Sequence, residues 1–310
     1  MQEAPISEKK ALSDGTSQES SDTVRLLKLT TYASVVTAVI LIVAKVFAWG
    51  ASGSLSVLAS LIDSIMDAAA SIINLVAVRY ALIPADDDHK FGHGKAEALA
   101  GLGQAMFITG SAIFLLFNSV DRMLHPREIE QVSVAVAIMV FSIIATAILL
   151  MLQRYTVKRT QSVAIKADSL HYAADLFTNV GIVVALMLTQ VGWPGVDPIF
   201  AIFIAFYVLY SAWSIVVESV NDLLDKELPE SVQEAIVEVV VSHKEVRGVH
   251  DLRTRQSGRN KIVQFHIEMD RDLPLWHAHG IAEEIEQKLL SEFPEVDVII
   301  HQDPYPPQSA

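Results

Sequence analysis

Residues 132–152 read VSVAVAIMVFSIIATAILLML and contain no charged side chain. At about 1.5 Å per residue, a helix of this length spans the roughly 30 Å hydrocarbon core of a bilayer. Five other segments of the 310-residue chain are similarly long and apolar, and the first contains one lysine, Lys45. The six predicted spans are residues 30–50, 56–80, 98–120, 132–152, 168–191 and 198–220. The sequence therefore predicts a polytopic α-helical membrane protein with six transmembrane helices.

The segments on either side of these spans are polar. Residues 1–24 are rich in serine and glutamate and lack the apolar stretch of a signal peptide, so we predict a disordered N-terminal tail. The spans then form a membrane domain over residues 25–222, followed by an acidic cytoplasmic domain at 223–304 and a tail at 305–310. The net charge of −13 argues against nucleic acid as a partner, and the absence of cysteine excludes thiolate metal sites.

The cytoplasmic segment alternates helical and strand patterns. Pro229 suits a first helical turn, and KIVQFHIEMD alternates apolar and polar residues as a strand does. The predicted elements are a helix at 229–243, strands at 248–257 and 261–269, a helix at 275–292 and a strand at 296–301. This αββαβ order predicts a small two-layer α/β domain.

Lysine and arginine mark one side of the membrane. They occur before span one and in the 2–3 and 4–5 connections, whereas the 1–2 and 5–6 connections have none. The 3–4 connection, with Arg122 and Arg127, is an exception. By the positive-inside rule, both termini are predicted to be cytoplasmic.

Two predicted spans carry ionisable pairs at i, i+4 spacing. Span two contains Asp63 and Asp67, and span five contains His171 and Asp175. Such residues cost roughly 2.5–3.5 kcal/mol each at mid-membrane, so they need shared compensation. If the spans pack together, three carboxylates and one imidazole form a shell that suits tetrahedral Zn²⁺, with Fe²⁺, Mn²⁺ or Cd²⁺ also compatible. Hydrogen bonding between helices and a metal-free proton relay are the alternatives.

Histidines outside the spans form two further patterns. In ADDDHKFGHGKAE, acidic residues precede His89 and His93, which is consistent with a metal-capturing loop or with a solvated turn. Six of the ten histidines lie in the cytoplasmic domain. A single histidine is more often a surface or core residue than a ligand, but His250, His266 and His301 lie on different predicted strands and could meet at one edge of the sheet.

Four segments together resemble the cation diffusion facilitators: LASLIDSIMDAAAS, PADDDHKFGHGKAEALA, KADSLHYAADLFTN and HDLRTRQSG with IIHQDP. The resemblance extends from residue 25 to about 304. It implies a homodimeric secondary antiporter in the bacterial inner membrane, with a metallochaperone-like cytoplasmic domain. Such a protein exports Zn²⁺, and in some members Fe²⁺ or Cd²⁺, against an inward flow of protons.

The resemblance also implies specific sites. It assigns a transport site to Asp63, Asp67, His171 and Asp175, a loop site to Asp86, His89 and His93, and a binuclear zinc site to His250, His266, His279, His301 and Asp303. Gln302 is a further carbonyl donor for that last site. Members with histidine at the position of Asp63 are more selective for zinc, so a broader range of metals is expected here. Lys95 and Asp225 match a charge pair at the family's dimer interface.

Two other classes of function are compatible with parts of this pattern. A metal sensor anchored in the membrane would need no intramembrane ligands. An intramembrane metalloenzyme would need an open coordination position and a general base, and the sequence contains no HExxH motif.

Overall fold

The computed structural model describes residues 6–52, 55–124, 132–190, 197–258 and 260–305. Parts of the 1–2, 3–4 and 5–6 connections, which contribute to the predicted orientation, lie outside these ranges. The predicted tail at 305–310 also lies outside them, except for Tyr305.

Six long helices occupy the predicted membrane domain, which confirms that part of the predicted fold. They are α1 (Ile6–Ser52), α2 (Leu55–Ala81), α3 (Ala96–Leu124), α4 (Val132–Thr160), α5 (Val163–Gln190) and α6 (Asp197–Leu223). Among the described residues, five helices are both long and apolar enough to cross a membrane, namely all of these except α5.

Helix α5 also has the length of a span, and four ionisable residues lie in its first half, namely Lys166, Asp168, His171 and Asp175. This half is mostly buried, and α5 packs against α2, α3 and α4. Buried side chains of α5 also form an apolar cluster with α3 and α6. The first half of α5 is therefore an inner helical segment in which Asp168 and His171 are buried.

The N-terminal segment differs from the prediction. Residues 1–24 were expected to be disordered, but α1 begins at Ile6 and continues without a break into the first predicted span. Residues 8–12 (EKKAL) are mostly good helix formers, and Pro5 immediately precedes the helix, where proline is favoured. No other proline occurs before Pro84, so no proline interrupts the helix.

The C-terminal domain has the predicted αββαβ order. It consists of α7 (Glu230–Val241), β1 (Gly248–Ser257), β2 (Asn260–Met269), α8 (Leu275–Glu292) and β3 (Val296–Pro304). The sheet order is β1–β2–β3, with β1 antiparallel and β3 parallel to the central strand. Phe265 and Ile267 of β2 are fully buried together with Ile285 and Leu289 of α8. These side chains lie on one face of the strand and one face of the helix, so they form the core between the sheet layer and the helix layer.

The connection between α2 and α3 forms one compact unit with the C-terminal domain, whereas residues 17–83 and 96–220 form the other. Gly94 in this connection lies against the β1–β2 turn, where Gly258 has a φ of +61°. A Cβ on Gly258 would lie 2.7 Å from Cα of Gly94. Glycine is required at both positions for the two backbones to approach this closely. Nearby, the guanidinium of Arg255 lies 4.7 Å from the ring centroid of Phe91.

Candidate metal sites

The intramembrane cluster is centred on the buried imidazole of His171. Its Nε2 atom lies 2.9 Å from Oδ1 of Asp67 on α2 and 3.7 Å from Oδ2 of Asp175 on α5. The ring also packs edge-on against Phe107, with centroids 6.0 Å apart. His171 and Asp175 are neighbours because of their i, i+4 spacing on α5, and Asp67 joins them because α2 packs against α5. Together they provide two carboxylates and one imidazole, a set of donors that suits a divalent metal.

The fourth predicted member, Asp63, is not part of this cluster. The ligand atoms of Asp67, His171 and Asp175 all lie within 4.8 Å of one another, whereas Asp63 is exposed one turn earlier on α2. Four residues of helix correspond to about 6 Å along the axis, which places Asp63 at the edge of the cluster. The structure therefore brings together three of the four predicted ligands.

The connection between α2 and α3 contains a second cluster. Oδ2 of Asp86 lies 3.3 Å from Nε2 of His93, and Oδ1 lies 3.5 Å from Nδ1 of His89. The backbone N–H of His89 donates to Oδ1 of Asp86 at 2.6 Å, and that hydrogen bond, more than any other contact, holds the pKa of this carboxyl below its usual range. His93 is buried, while Asp86 and His89 are exposed. All three predicted residues of the loop site thus lie together.

The third cluster is built by strand register. His266 on the central strand pairs with His250 on β1 and with His301 on β3, so three imidazoles form a row across the sheet. Their ring centroids are 5.1 Å apart for His250 and His266, and 4.5 Å apart for His266 and His301. Asp303 follows His301 on the same face, because side chains two apart on a strand point the same way.

Asp303 connects this row of histidines. Its carboxylate lies 2.8 Å from Nδ1 of His266, 3.4 Å from Nε2 of His250 and 3.3 Å from Nε2 of His301. The hydrogen bond with His266 is the main cause of a lowered pKa at Asp303. His279 lies apart from the row, on α8, where its Nε2 faces Oε1 of Glu283 at 3.4 Å.

Comparisons with known proteins identify the family of this chain. A family model described as the cation efflux transmembrane domain matches residues 31–224, and a second, described as the cytoplasmic domain of cation efflux proteins, matches residues 228–305. The chain belongs to the cation efflux family.

Individual members of the cation efflux family are similar over most of their length. The cation-efflux pump FieF of Salmonella arizonae is 48% identical over 280 residues, which are 90% of this chain and 93% of that protein. FieF of Citrobacter koseri is 47% identical over 280 residues, with the same coverage. A solved structure of the transporter CzrB, 31% identical, covers 26% of this chain and 99% of that one, with a TM-score of 0.25. This cation efflux protein is therefore a multi-pass membrane protein of a transporter family.

The charge pair expected in this cation efflux protein forms within one chain. Nζ of Lys95 lies 2.9 Å from Oδ1 of Asp225, and Arg255 lies 3.3 Å from Oδ2. The hydrogen bond from Lys95 is the main cause of a lowered pKa at Asp225. Asp225 has a φ of +57°, a conformation that aspartate tolerates better than most residues.

Three polar residues near these clusters were missed by the sequence analysis as site residues. Lys45 was noted only as a charge in the first span. Asp168, one turn before His171, is fully buried and accepts hydrogen bonds from three side chains. Asp251 lies in a bulge of β1 and approaches Nε2 of His266 at 3.7 Å. Helical spacing from His171 identifies Asp168 in the sequence, whereas only the bulge brings Asp251 close to His266.

Proposed function

We propose that this protein exports divalent metal from the cytoplasm in exchange for protons, by alternating access. Zn²⁺ is the main cargo, and Fe²⁺ and Cd²⁺ are further cargo ions. The observation that carries the proposal is the convergence of Asp67, His171 and Asp175 inside the membrane domain of a cation efflux protein. Relatives at 47–48% identity are described as cation-efflux pumps, which supports the direction of transport.

The composition of the cluster supports Zn²⁺ as cargo. Imidazole nitrogen and carboxylate oxygen are both ligands that Zn²⁺ accepts in tetrahedral sites, and three protein ligands leave room for another donor. Asp63, one turn away on α2, is the residue we assign as the fourth ligand. A carboxylate in place of a second imidazole widens the range of acceptable metals, because oxygen donors suit harder cations as well.

Proton exchange follows from the same ligands. A metal binds the neutral imidazole and the ionised carboxylates, so protons compete with the metal for the same atoms. Opening toward a more acidic exterior therefore favours release of the metal, and opening toward the cytoplasm favours its capture. The inward proton gradient returns the empty carrier to the cytoplasmic side.

The other two clusters are proposed to regulate transport from the cytoplasmic face. Asp86, His89 and His93 form a partly exposed site, which suits weak capture of metal. The histidine row and Asp303 suit a bound zinc ion, which would link the three strands of the sheet. We also assign His279 to this site. A regulatory metal shifts transport only if it binds one conformation more tightly than the other.

The protein acts as a homodimer, with the Lys95–Asp225 pair at its interface.

The distribution of basic residues supports the orientation. Lysine and arginine are most frequent in the 4–5 connection, occur before span one and in the 2–3 connection, and are absent from the 1–2 and 5–6 connections. We therefore assign both termini to the cytoplasm and the protein to the bacterial inner membrane. The Asp86 and Asp303 clusters then lie on the side from which metal is removed.

Uptake of Zn²⁺ into proteoliposomes with an imposed pH gradient tests the proposal. The full-length chain is expected to transport Zn²⁺ at a rate that depends on the gradient, while Asp67→Ala and His171→Ala lose at least about 90% of the flux, because each removes a ligand. His243→Ala is the matched control. His243 pairs with Glu284 at 3.3 Å in the cytoplasmic domain, outside all three clusters.

The same vesicles distinguish the other functions. Flux that persists in His171→Ala at the level of the unchanged chain would overturn the assignment of the transport site. Metal binding without any flux in the unchanged chain would instead favour a sensor, and hydrolysis of a peptide or lipid would favour an enzyme.

A further inference from the structure

A lysine in the first membrane helix is anchored beside the intramembrane carboxylates. Nζ of Lys45, on α1, donates to Oγ of Ser64 at 2.6 Å and to the carbonyl oxygen of Ser60 at 3.0 Å, both on α2. Charged residues within membrane spans are rare and generally pair with other polar groups. Lys45 is therefore a partly buried charge held against α2, and it is not among the residues assigned as metal ligands.

The anchor points lie on the same face of α2 as the two aspartates. Ser60, Asp63, Ser64 and Asp67 follow the spacing i, i+3, i+4 and i+7, which places them along one side of a helix. The side chain of Lys45 is thus held against the face of α2 that carries the cluster.

The anionic groups around this lysine are the carboxylates assigned to the transport site, of which Asp67 and Asp175 belong to the metal cluster. The ammonium of Lys45 lies within electrostatic reach of the carboxylates of Asp67, Asp175 and Asp63, which come from two helices. Three carboxylates and one divalent cation leave a single negative charge. The ammonium cancels that charge, so the three carboxylates, the metal and Lys45 together carry no net charge, which matters where an unbalanced charge is costly. The buried carboxylate of Asp168, one turn before His171, is compensated separately by hydrogen bonds from three side chains.

We propose that Lys45 is a fixed counter-charge of the transport site. It neutralises the site when metal is bound and repels the metal enough to permit its release. This inference rests on the proposed transport function. Repulsion between an ammonium and a divalent cation is strong in a medium of low dielectric constant, so it lowers the affinity for metal. Removing the charge should therefore trap the cargo.

A purely structural role makes a different prediction. If Lys45 served only to join α1 to α2 through hydrogen bonds, then a neutral donor of similar shape would replace it. Lys45→Gln keeps the capacity to donate to Ser60 and Ser64 but lacks the charge, whereas Lys45→Arg keeps the charge. Ser64→Ala removes one hydrogen bond and leaves the charge in place.

The test measures Zn²⁺ affinity and flux in the full-length chain. Five substitutions are introduced together as a background that removes most ligands of the two cytoplasmic clusters, so that binding reports the intramembrane site: His89→Ala, His93→Ala, His250→Ala, His266→Ala and Asp303→Ala. In this background, at pH 8, Lys45→Gln and Lys45→Met are expected to bind Zn²⁺ roughly tenfold more tightly by calorimetry and to transport it more slowly in proteoliposomes. Lys45→Arg and Ser64→Ala are expected to stay within about threefold of the background in affinity.

The outcomes separate the two proposals. The proposal that Lys45 is a counter-charge would be overturned if Lys45→Gln bound Zn²⁺ with the same affinity as the background. It would also be overturned if Ser64→Ala changed the Zn²⁺ affinity as much as Lys45→Gln does. If His171→Ala still binds Zn²⁺ like the background, the transport site itself is wrong. Should Lys45→Met fail to fold, Lys45→Gln decides the question, because it keeps a polar side chain at the same position.

Discussion

At the scale of single residues, the three clusters share one feature: a carboxylate adjoins at least one imidazole before any metal binds. Asp67 contacts His171, Asp86 contacts His93, and Asp303 contacts His266. Each pairing orients the imidazole and keeps a negative charge beside it. The protein thus holds its metal-binding groups in place through contacts among themselves.

Asp225 offers a test of electrostatics outside the membrane. Its pKa is lowered by Lys95, so its charge stabilises the fold above about pH 4, the usual range of the unfolded carboxyl, and this contribution is lost as the pH falls toward the lowered value. Because both partners are about one third exposed, the contribution is under about 1 kcal/mol.

Comparison of the unchanged chain with Asp225→Asn measures this contribution. Asparagine has the same shape and also tolerates a positive φ, so the substitution isolates the charge. The unchanged chain is expected to melt at a slightly higher temperature between pH 5 and 7, and the difference should shrink below about pH 4. A difference that stays constant down to pH 3 would contradict this account.

At the scale of elements, α5 is organised by one polar face. Asp168, His171 and Asp175 follow helical spacing, so the buried carboxylate and the cluster lie along the same side of the helix. Asp168 accepts hydrogen bonds from Ser34 on α1 at 2.7 Å and from Gln153 on α4 at 2.8 Å. Gln104 on α3 donates to its other oxygen at 3.0 Å. One side chain thereby joins α5 to three other helices.

Asp168→Ala is expected to destabilise the membrane domain by about 2 kcal/mol or more, because it leaves buried donors without an acceptor. Ser169→Ala is the matched control, since the hydroxyl of Ser169 donates only to a carbonyl of its own helix, that of Lys166. Its effect should stay within about 0.5 kcal/mol. Unfolding of both purified variants in detergent measures the difference, and equal stabilities would show that the network contributes little.

At the scale of the whole molecule, metal binding at several clusters should be coupled to stability. A ligand that binds only the folded chain stabilises it by about 2.7 kcal/mol at one hundred times its dissociation constant. Zn²⁺ is therefore expected to raise the melting temperature of the full-length protein, and a chelator is expected to reverse this increase.

The variant His266→Ala localises this effect. His266 is the middle member of the histidine row and contacts Asp303, so its loss should reduce the Zn²⁺-induced shift in melting temperature. His277→Ala is the matched control, because Nε2 of His277 contacts Glu245 at 2.8 Å outside the clusters. Equal shifts in both variants would show that the row does not hold zinc.

The sequence by itself determined the six membrane helices, the αββαβ order and the candidate residues from which the metal clusters are drawn. Hydrophobic length and helical or strand periodicity are local properties of the chain, so they can be read without a structure. The i, i+4 pairs Asp63–Asp67 and His171–Asp175 were visible for the same reason.

Only the tertiary structure decided which of these groups meet. The offset between α2 and α5 brings Asp67, but not Asp63, to His171, and strand register places three histidines in one row while His279 stays on α8. The anchoring of Lys45 and the buried hydrogen bonds of Asp168 also depend on packing between helices distant in sequence. Such contacts are set by the arrangement of whole elements, which no local pattern in the sequence specifies.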